Sequence, residues 1–227
     1  MGCIATLLAV HDHLIEAGIF VGLGIFFDFF DGLAARLLHV SSELGKQLDS
    51  LADVVTSGVV PGIVMFQLLN QSEENLSILE NFNSVDWYAY LGFIITLASA
   101  YRLAKFNIDE RQSHSFIGLP TPANAIFILS LAFILKYETN EWFLNLIQSE
   151  IFLISMTILS AFALNMNLEL FSLKLKNFKV SENVFVYGLI LFSILALIFL
   201  QFLAIPLIIL IYIGLSLIKK NTAKTTS

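Results

Sequence analysis

Four aspartates stand at spacings suited to chemistry on helices. Asp28 and Asp31 are three residues apart and are followed by Gly32, Ala35 and Arg36; eight residues later come Gly45, Asp49 and Asp53, each four apart. Residues three or four apart share a helix face. If a short turn joins two such helices, all four carboxylates converge. Like charges in a partly dry site repel, so either some are protonated or cations neutralise them. Carboxylate oxygens suit Mg²⁺ or Mn²⁺. Two such ions would offset four carboxylates and leave room for substrate phosphates. Gly32, Ala35 and Gly45 leave space between the helices for a bulky ligand, and Arg36 offers a fixed fork for phosphate. Two other readings exist. Aspartates also mark helix ends, where the dipole favours them, but that explains one or two rather than four on converging faces. A cation-coupled transporter also buries acids, yet a pathway of carboxylates needs no fixed glycine and arginine spacing.

Apolar helices must position these residues. The chain has 227 residues, 57% hydrophobic and only 13% charged, with a mean hydropathy of +0.83. Soluble domains carry roughly 25% charged residues, so a soluble globular domain and a disordered chain are both excluded. The net charge of −6 argues against a nucleic-acid partner. The single cysteine, Cys3, rules out an internal disulfide and a paired-cysteine metal site. His11, His13, His39 and His114 share no metal-ligand spacing. Apolar stretches over 14–38, 47–69, 87–104, 119–136, 150–168, 184–200 and 203–218 predict seven full membrane spans in an all-α, polytopic helical bundle. The tight connection before Pro206 predicts a helical hairpin from the last two. Met1 to Val10 is apolar too, but reaches only about 15 Å against a hydrocarbon core of about 30 Å. It reads as the second half of a helix, so the expectation is an N-terminally truncated chain whose complete form has eight spans. Residues 1–227 are expected to form one membrane domain with a short cytoplasmic tail at 219–227.

The loops predict an orientation. Arg36 and Lys46, then Arg102, Lys105 and Arg111, then Lys174, Lys176 and Lys179, then Lys219, Lys220 and Lys224 fall on alternate connections, leaving only Lys136 for the other face. The opposite face carries Asp12, Glu16, Glu73, Glu74, Glu80, Asp86, Glu138, Glu141 and Glu150. Basic loops stay in the cytoplasm, so the aspartate cluster and the C-terminus are expected there.

The pattern Asp28-x-x-Asp31-Gly32-x-x-Ala35-Arg36, eight residues, Gly45-x-x-x-Asp49-x-x-x-Asp53 resembles the full signature of the CDP-alcohol phosphatidyltransferases. Tyr101-Arg102-Leu103-Ala104-Lys105-Phe106-Asn107, then Phe116-Ile117-Gly118-Leu119-Pro120-Thr121-Pro122-Ala123, and the stretch from Asn165 to Lys176 with Phe171-Ser172-Leu173-Lys174, are similar to the CDP-diacylglycerol–serine O-phosphatidyltransferase branch. The resemblance covers most of the chain and implies a reaction: CDP-diacylglycerol and L-serine give phosphatidylserine and CMP in a bacterial cytoplasmic membrane. It implies that Asp28, Asp31, Asp49 and Asp53 hold two divalent ions, Mg²⁺ or Mn²⁺, and that Asp53 is also the general base. It implies that Gly32, Ala35, Arg36 and Gly45, with Asp31 and Asp49, line the CDP pocket. Membrane lipids as partners and a homodimer are further implications.

For the acceptor, Arg102 is the foremost candidate, since a guanidinium at a cytoplasmic helix end can hold a carboxylate in bidentate fashion. Lys105, Asn107 and Thr121 are weaker candidates. Lys105 and Arg111 have an alternative role as membrane anchors, Asn107 as a helix cap, and Gly118 to Pro122 as a helix entry, where proline is tolerated. A related transferase using glycerol 3-phosphate or an inositol phosphate remains the alternative, because Arg102, Lys105 and Arg111 could serve a phosphorylated acceptor.

Overall fold

The computed structural model describes residues 1–38, 40, 42–72, 87–108, 116–170 and 183–225. The chain begins with α1 (Gly2–Val10), α2 (Leu14–Leu37) and α3 (Glu43–Asp53). A π-helical segment, Val54–Val59, leads directly into α4 (Val60–Asn70). A 3₁₀ turn, Trp87–Gly92, opens α5 (Phe93–Ile108). Then follow β1 (Phe116–Ile117), α6 (Thr121–Tyr137), α7 (Glu141–Gln148), α8 (Glu150–Asn165) and β2 (Glu169–Leu170). Helix α9 (Val184–Leu200), a short 3₁₀ turn at Gln201–Leu203 and α10 (Ala204–Thr225) complete the described chain. The two strands form a minimal antiparallel pair, Phe116 opposite Leu170 and Ile117 opposite Glu169.

Every apolar stretch picked out by hydropathy is helical. Length and composition alone support a coarser count than the seven expected spans. Among the described residues, three helical runs are long and apolar enough to cross a bilayer: Leu14–Ala35, Glu43–Asn70 and Val184–Ile218. A fourth results if α7 and α8, bent by 68° at their junction, count as one broken span. Helix α6, with 17 residues, is about 26 Å long at 1.5 Å per residue, a little under a core of about 30 Å, whereas α5 is lengthened by the 3₁₀ turn that opens it. Helix α7 was not foreseen; its amide side chain at Asn140 caps it by accepting from the Trp142 N–H at 3.0 Å.

The third run is interrupted at Gln201, whose φ is 48°. Pro206 lies in the first turn of α10, where no intrahelical donor is missed. Helices α9 and α10 pack on each other through Val186, Leu189 and Tyr212, which share a cluster with Leu119, Leu168 and Leu170. The expected hairpin is therefore present.

The main core gathers Ala5 and Ala9 of α1, Ala17 and Val21 of α2, Val64, Met65 and Leu68 of α4, and Ile128 and Leu131 of α6, all buried. Alanines on α1 and α2 let the two backbones approach closely, as membrane helices require where lipid supplies no hydrophobic drive for association. Many large apolar side chains stay exposed, among them Phe26, Phe27, Phe29, Phe30 and Phe199. In a chain this apolar, those faces suit lipid.

Side-chain bonds mark the two ends of the bundle. At one end Gln67 Nε2 donates to the carbonyls of Ala9 and Val10, and Gln71 Nε2 to Asp12 Oδ1. At the other, Lys46 Nζ donates to the carbonyl of Asn107 at 3.1 Å. Acidic Asp12 and basic Lys46 thus sit at opposite ends. The basic residues Arg111, Lys174, Lys176 and Lys179, the acidic Glu73, Glu74, Glu80 and Asp86, and the motif stretch Phe171 to Lys174 lie outside the described residues. The last helix continues through the segment expected as a tail, to Thr225.

Candidate functional site

The site forms where α2 ends and α3 begins. Helix α3 starts cleanly because Ser42 caps it: its Oγ accepts from the Gly45 N–H at 3.0 Å. None of its residues is buried. Its polar face therefore stands open at the bundle's basic end rather than packing into the core. Asp28, on the penultimate turns of α2, is half-buried, while Asp31 and Asp49 are exposed.

One carboxylate oxygen from each of Asp28, Asp31 and Asp49 lies within 4.8 Å of the others. The Asp28 and Asp49 carboxyl groups are close enough to share a hydrogen bond. The sequence had implied four converging aspartates. Among the described residues three form the tight group. Asp53, one turn further along α3 and half-buried, stands at its edge, near enough to feel Asp49 and Asp31 on one side and the Arg102 guanidinium on the other. Oxygen-only ligands crowded this closely fit a hard divalent cation, which coordinates carboxylates and offsets their repulsion.

The small residues of the motif border open space. A side chain added at Gly32 would meet nothing within 4 Å, and one at Gly45 would meet only Ser42 Oγ, at 3.0 Å. Ala35 is exposed. Arg36 lies on the last turn of α2, and its side chain is outside the described part.

The acceptor candidates separate. Arg102 is 7% exposed, inside the bundle and beside Asp53. Thr121 is 1% exposed at the first turn of α6. Lys105 is half-buried. Asn107 is engaged elsewhere: its Nδ2 donates to Gln47 Oε1 at 3.2 Å and lies 2.9 Å from Ser50 Oγ, and its Oδ1 accepts from Ser50 at 3.1 Å. It ties α3 to the end of α5 instead of capping its own helix.

Nearby polar side chains with no role in the sequence reading are Ser57 on the π-helical segment and Ser99 on α5, both buried, and Asn165 at the end of α8, half-buried with its Oδ1 sealed from solvent. A signal existed for two of them. Ser57 follows Asp53 by four residues and Ser99 precedes Arg102 by three, so each shares a helix face with a residue already singled out. Asn165 lay at the edge of a stretch noted only for its likeness to a family branch.

A family model described as CDP-alcohol phosphatidyltransferase matches residues 1–166. The chain is similar to a Bacillus subtilis protein named CDP-diacylglycerol–serine O-phosphatidyltransferase, 34% identical over 134 residues, which cover 57% of this chain and 70% of that one. A Saccharomyces cerevisiae protein of the same name is 33% identical over 146 residues, 60% of this chain and 48% of that one. A Methanothermobacter thermautotrophicus protein named archaetidylserine synthase is 31% identical over 134 residues, 57% of this chain and 51% of that one. The match thus spans about half the length of the yeast and archaeal relatives.

Proposed function

We propose, from the premise that the chain belongs to the CDP-alcohol phosphatidyltransferase family, that it transfers the phosphatidyl group of CDP-diacylglycerol to L-serine and releases CMP. The observation that carries this reading is the meeting of Asp28, Asp31 and Asp49 within 4.8 Å, with Asp53 beside a buried Arg102. The names of relatives in bacteria, yeast and archaea support serine as the acceptor. Asp28, Asp31, Asp49 and Asp53 would hold two divalent ions, Mg²⁺ or Mn²⁺, which would neutralise the pyrophosphate and the departing CMP.

The protein's own groups do the rest. Gly32, Ala35 and Gly45 leave room for the CDP moiety beside Asp31 and Asp49, and Arg36, on the last turn of the same helix as Gly32 and Ala35, is the proposed cation for its phosphates. Arg102 holds the acceptor's carboxylate; Lys105 and Thr121 are secondary candidates for the acceptor, and Asn107, bonded to Gln47 and Ser50, contributes by holding α3 in place. Asp53 takes the proton from the serine hydroxyl. The serine oxygen then bonds to the phosphorus that carries diacylglycerol, the bridging P–O bond breaks, and its electron pair leaves with CMP. A serine hydroxyl is a weak nucleophile at neutral pH, so a base within hydrogen-bond reach is needed.

The lipid tails stay in the bilayer while serine and CMP are water-soluble, which places the site at a cytoplasmic boundary. The proposal accordingly includes a single membrane domain over 1–227 in a bacterial cytoplasmic membrane, seven full spans preceded by the short helix α1, and a homodimer.

The test follows CMP release by protein in detergent with CDP-diacylglycerol and Mn²⁺ or Mg²⁺. L-serine should drive release, and Asp53→Asn should lower it by roughly 10²–10⁴-fold, the usual worth of a positioned base. Release with glycerol 3-phosphate or an inositol phosphate but not with L-serine would overturn the choice of acceptor.

A further inference from the structure

Around the inner face of α5, Ser57 Oγ, Ser99 Oγ, Arg102 Nε and Asn165 Oδ1 are sealed from solvent and make no hydrogen bond among the described residues. Ser57 and Ser99 are 0% exposed and Arg102 is 7% exposed. Buried polar atoms are normally paired, and each exception calls for an explanation.

These groups lie together. Ala98, Ser99 and Arg102 share one face of α5. Asn165 Nδ2 donates to the carbonyls of Ala98 at 3.1 Å and Ala161 at 3.3 Å. Two carbonyl partners fix which way round the amide sits, so its oxygen is the end left over. Ser99 packs on the π-helical segment that carries Ser57: a side chain added at Gly58 would come within 3.1 Å of Ser99 Cβ. Arg102 faces Asp53. The unpaired atoms thus sit where α5, α8 and the π-helical segment meet, behind the edge of the aspartate group. π-Helical turns inside helices frequently occur at functional sites.

The unpaired set has a definite chemistry. It offers a guanidinium donor, an amide oxygen that only accepts, and hydroxyls that do either. A carboxylate needs donors and an ammonium needs acceptors, so the set complements an amino acid's zwitterionic end. A phosphorylated acceptor would need several donors and no amide oxygen, and Arg102 is the sole buried basic side chain among the described residues. We propose that Arg102, Ser99 and Asn165 form the seat for the zwitterionic end of the acceptor: Arg102 takes the carboxylate, Asn165 Oδ1 accepts from the ammonium, and Ser99 bonds between them. This seat selects an α-amino acid over a phosphorylated alcohol and turns the acceptor's hydroxyl toward Asp53. The inference rests on the reading of L-serine as acceptor.

The test compares wild type with Asn165→Ala and Ser99→Ala, following phosphatidylserine formation from labelled L-serine, with 3-hydroxypropionate, which lacks the ammonium, as competitor. Asn165→Ala should raise the KM for L-serine about tenfold, with kcat within about twofold and the KM for CDP-diacylglycerol unchanged. The inhibition constant of 3-hydroxypropionate should not move, because its missing ammonium never used Asn165. Ser99→Ala should weaken both molecules together, by about threefold. If Asn165→Ala does not fold, Asn165→Ser carries the same readout. An unchanged KM, a loss in kcat alone, equal weakening of L-serine and 3-hydroxypropionate in the Asn165 variants, or no competition by 3-hydroxypropionate in wild type overturns the seat. A wild-type protein without serine-dependent transfer overturns the acceptor reading itself, whereas an active wild type with an insensitive Asn165 overturns only the seat.

Discussion

Asn107 holds α3 in place with one side chain. Its amide meets Gln47 and Ser50, and its carbonyl accepts from Lys46, so one face of α3 is tied to the end of α5. Since α3 buries none of its own residues, these bonds rather than core packing fix where Asp49 stands. Asn107→Ala removes the amide bonds and should cost about 1–2 kcal/mol of stability, read as faster thermal inactivation in detergent. It should also weaken the response to metal more than its effect on folding alone explains. The aspartates make a second residue-scale prediction. A ligand at a hundredfold excess over its Kd stabilises a native state by about 2.7 kcal/mol. Mn²⁺ should therefore raise the melting temperature of the wild type and leave an Asp28→Asn, Asp49→Asn double variant unmoved; equal shifts in both proteins would argue against a metal at this cluster. Asp28, Asp31 and Asp49 were legible from spacing alone. The partners of Asn107 were not legible there, because they lie some sixty residues away in sequence.

At the scale of elements, short-range geometry keeps the helices registered. Gly118 has a φ of 76°, and a side chain there would run into the Leu164 carbonyl. Its N–H donates to the Leu168 carbonyl at 2.9 Å, and the Leu119 N–H to that of Ala163 at 2.8 Å. This joint, with the two-residue pairing of β1 and β2, clips the start of α6 to the end of α8, and so sets Thr121 and Asn165 relative to each other. Gly118→Ala has both a strained backbone and a clash to absorb. We expect a loss of about 1–3 kcal/mol, corresponding to a melting temperature lower by several degrees in a chain of this size. A wild-type melting curve from this variant would mean that the joint relaxes freely. The sequence marked Gly118 to Pro122 as a helix entry, and that is where α6 begins. It held no sign of α7 as a separate helix or of the π-helical turn after Asp53, since both depend on how neighbouring helices crowd the chain rather than on local composition.

For the whole molecule, the charge asymmetry makes an orientation testable. Lys46 and Asp12 stand at opposite ends of the bundle, and basic ends stay in the cytoplasm. In a Cys3→Ser background, an impermeant maleimide should label Lys46→Cys only in inside-out vesicles and Asp12→Cys only in right-side-out ones; the reverse pattern would invert the orientation. The sequence by itself determined that the chain is helical and made for a bilayer, where each apolar stretch lies, and which aspartates belong together. It could do so because burial in lipid demands unbroken apolar helices and because helical periodicity is a local rule. Tertiary structure alone decided that three aspartates form the close group with Asp53 beside Arg102, that α7 and α8 meet at a bend of 68°, and that Ser99, Arg102 and Asn165 each keep a buried polar atom without a partner among the described residues. Those outcomes depend on how helices distant in sequence cross and pack, and no spacing within one segment encodes that.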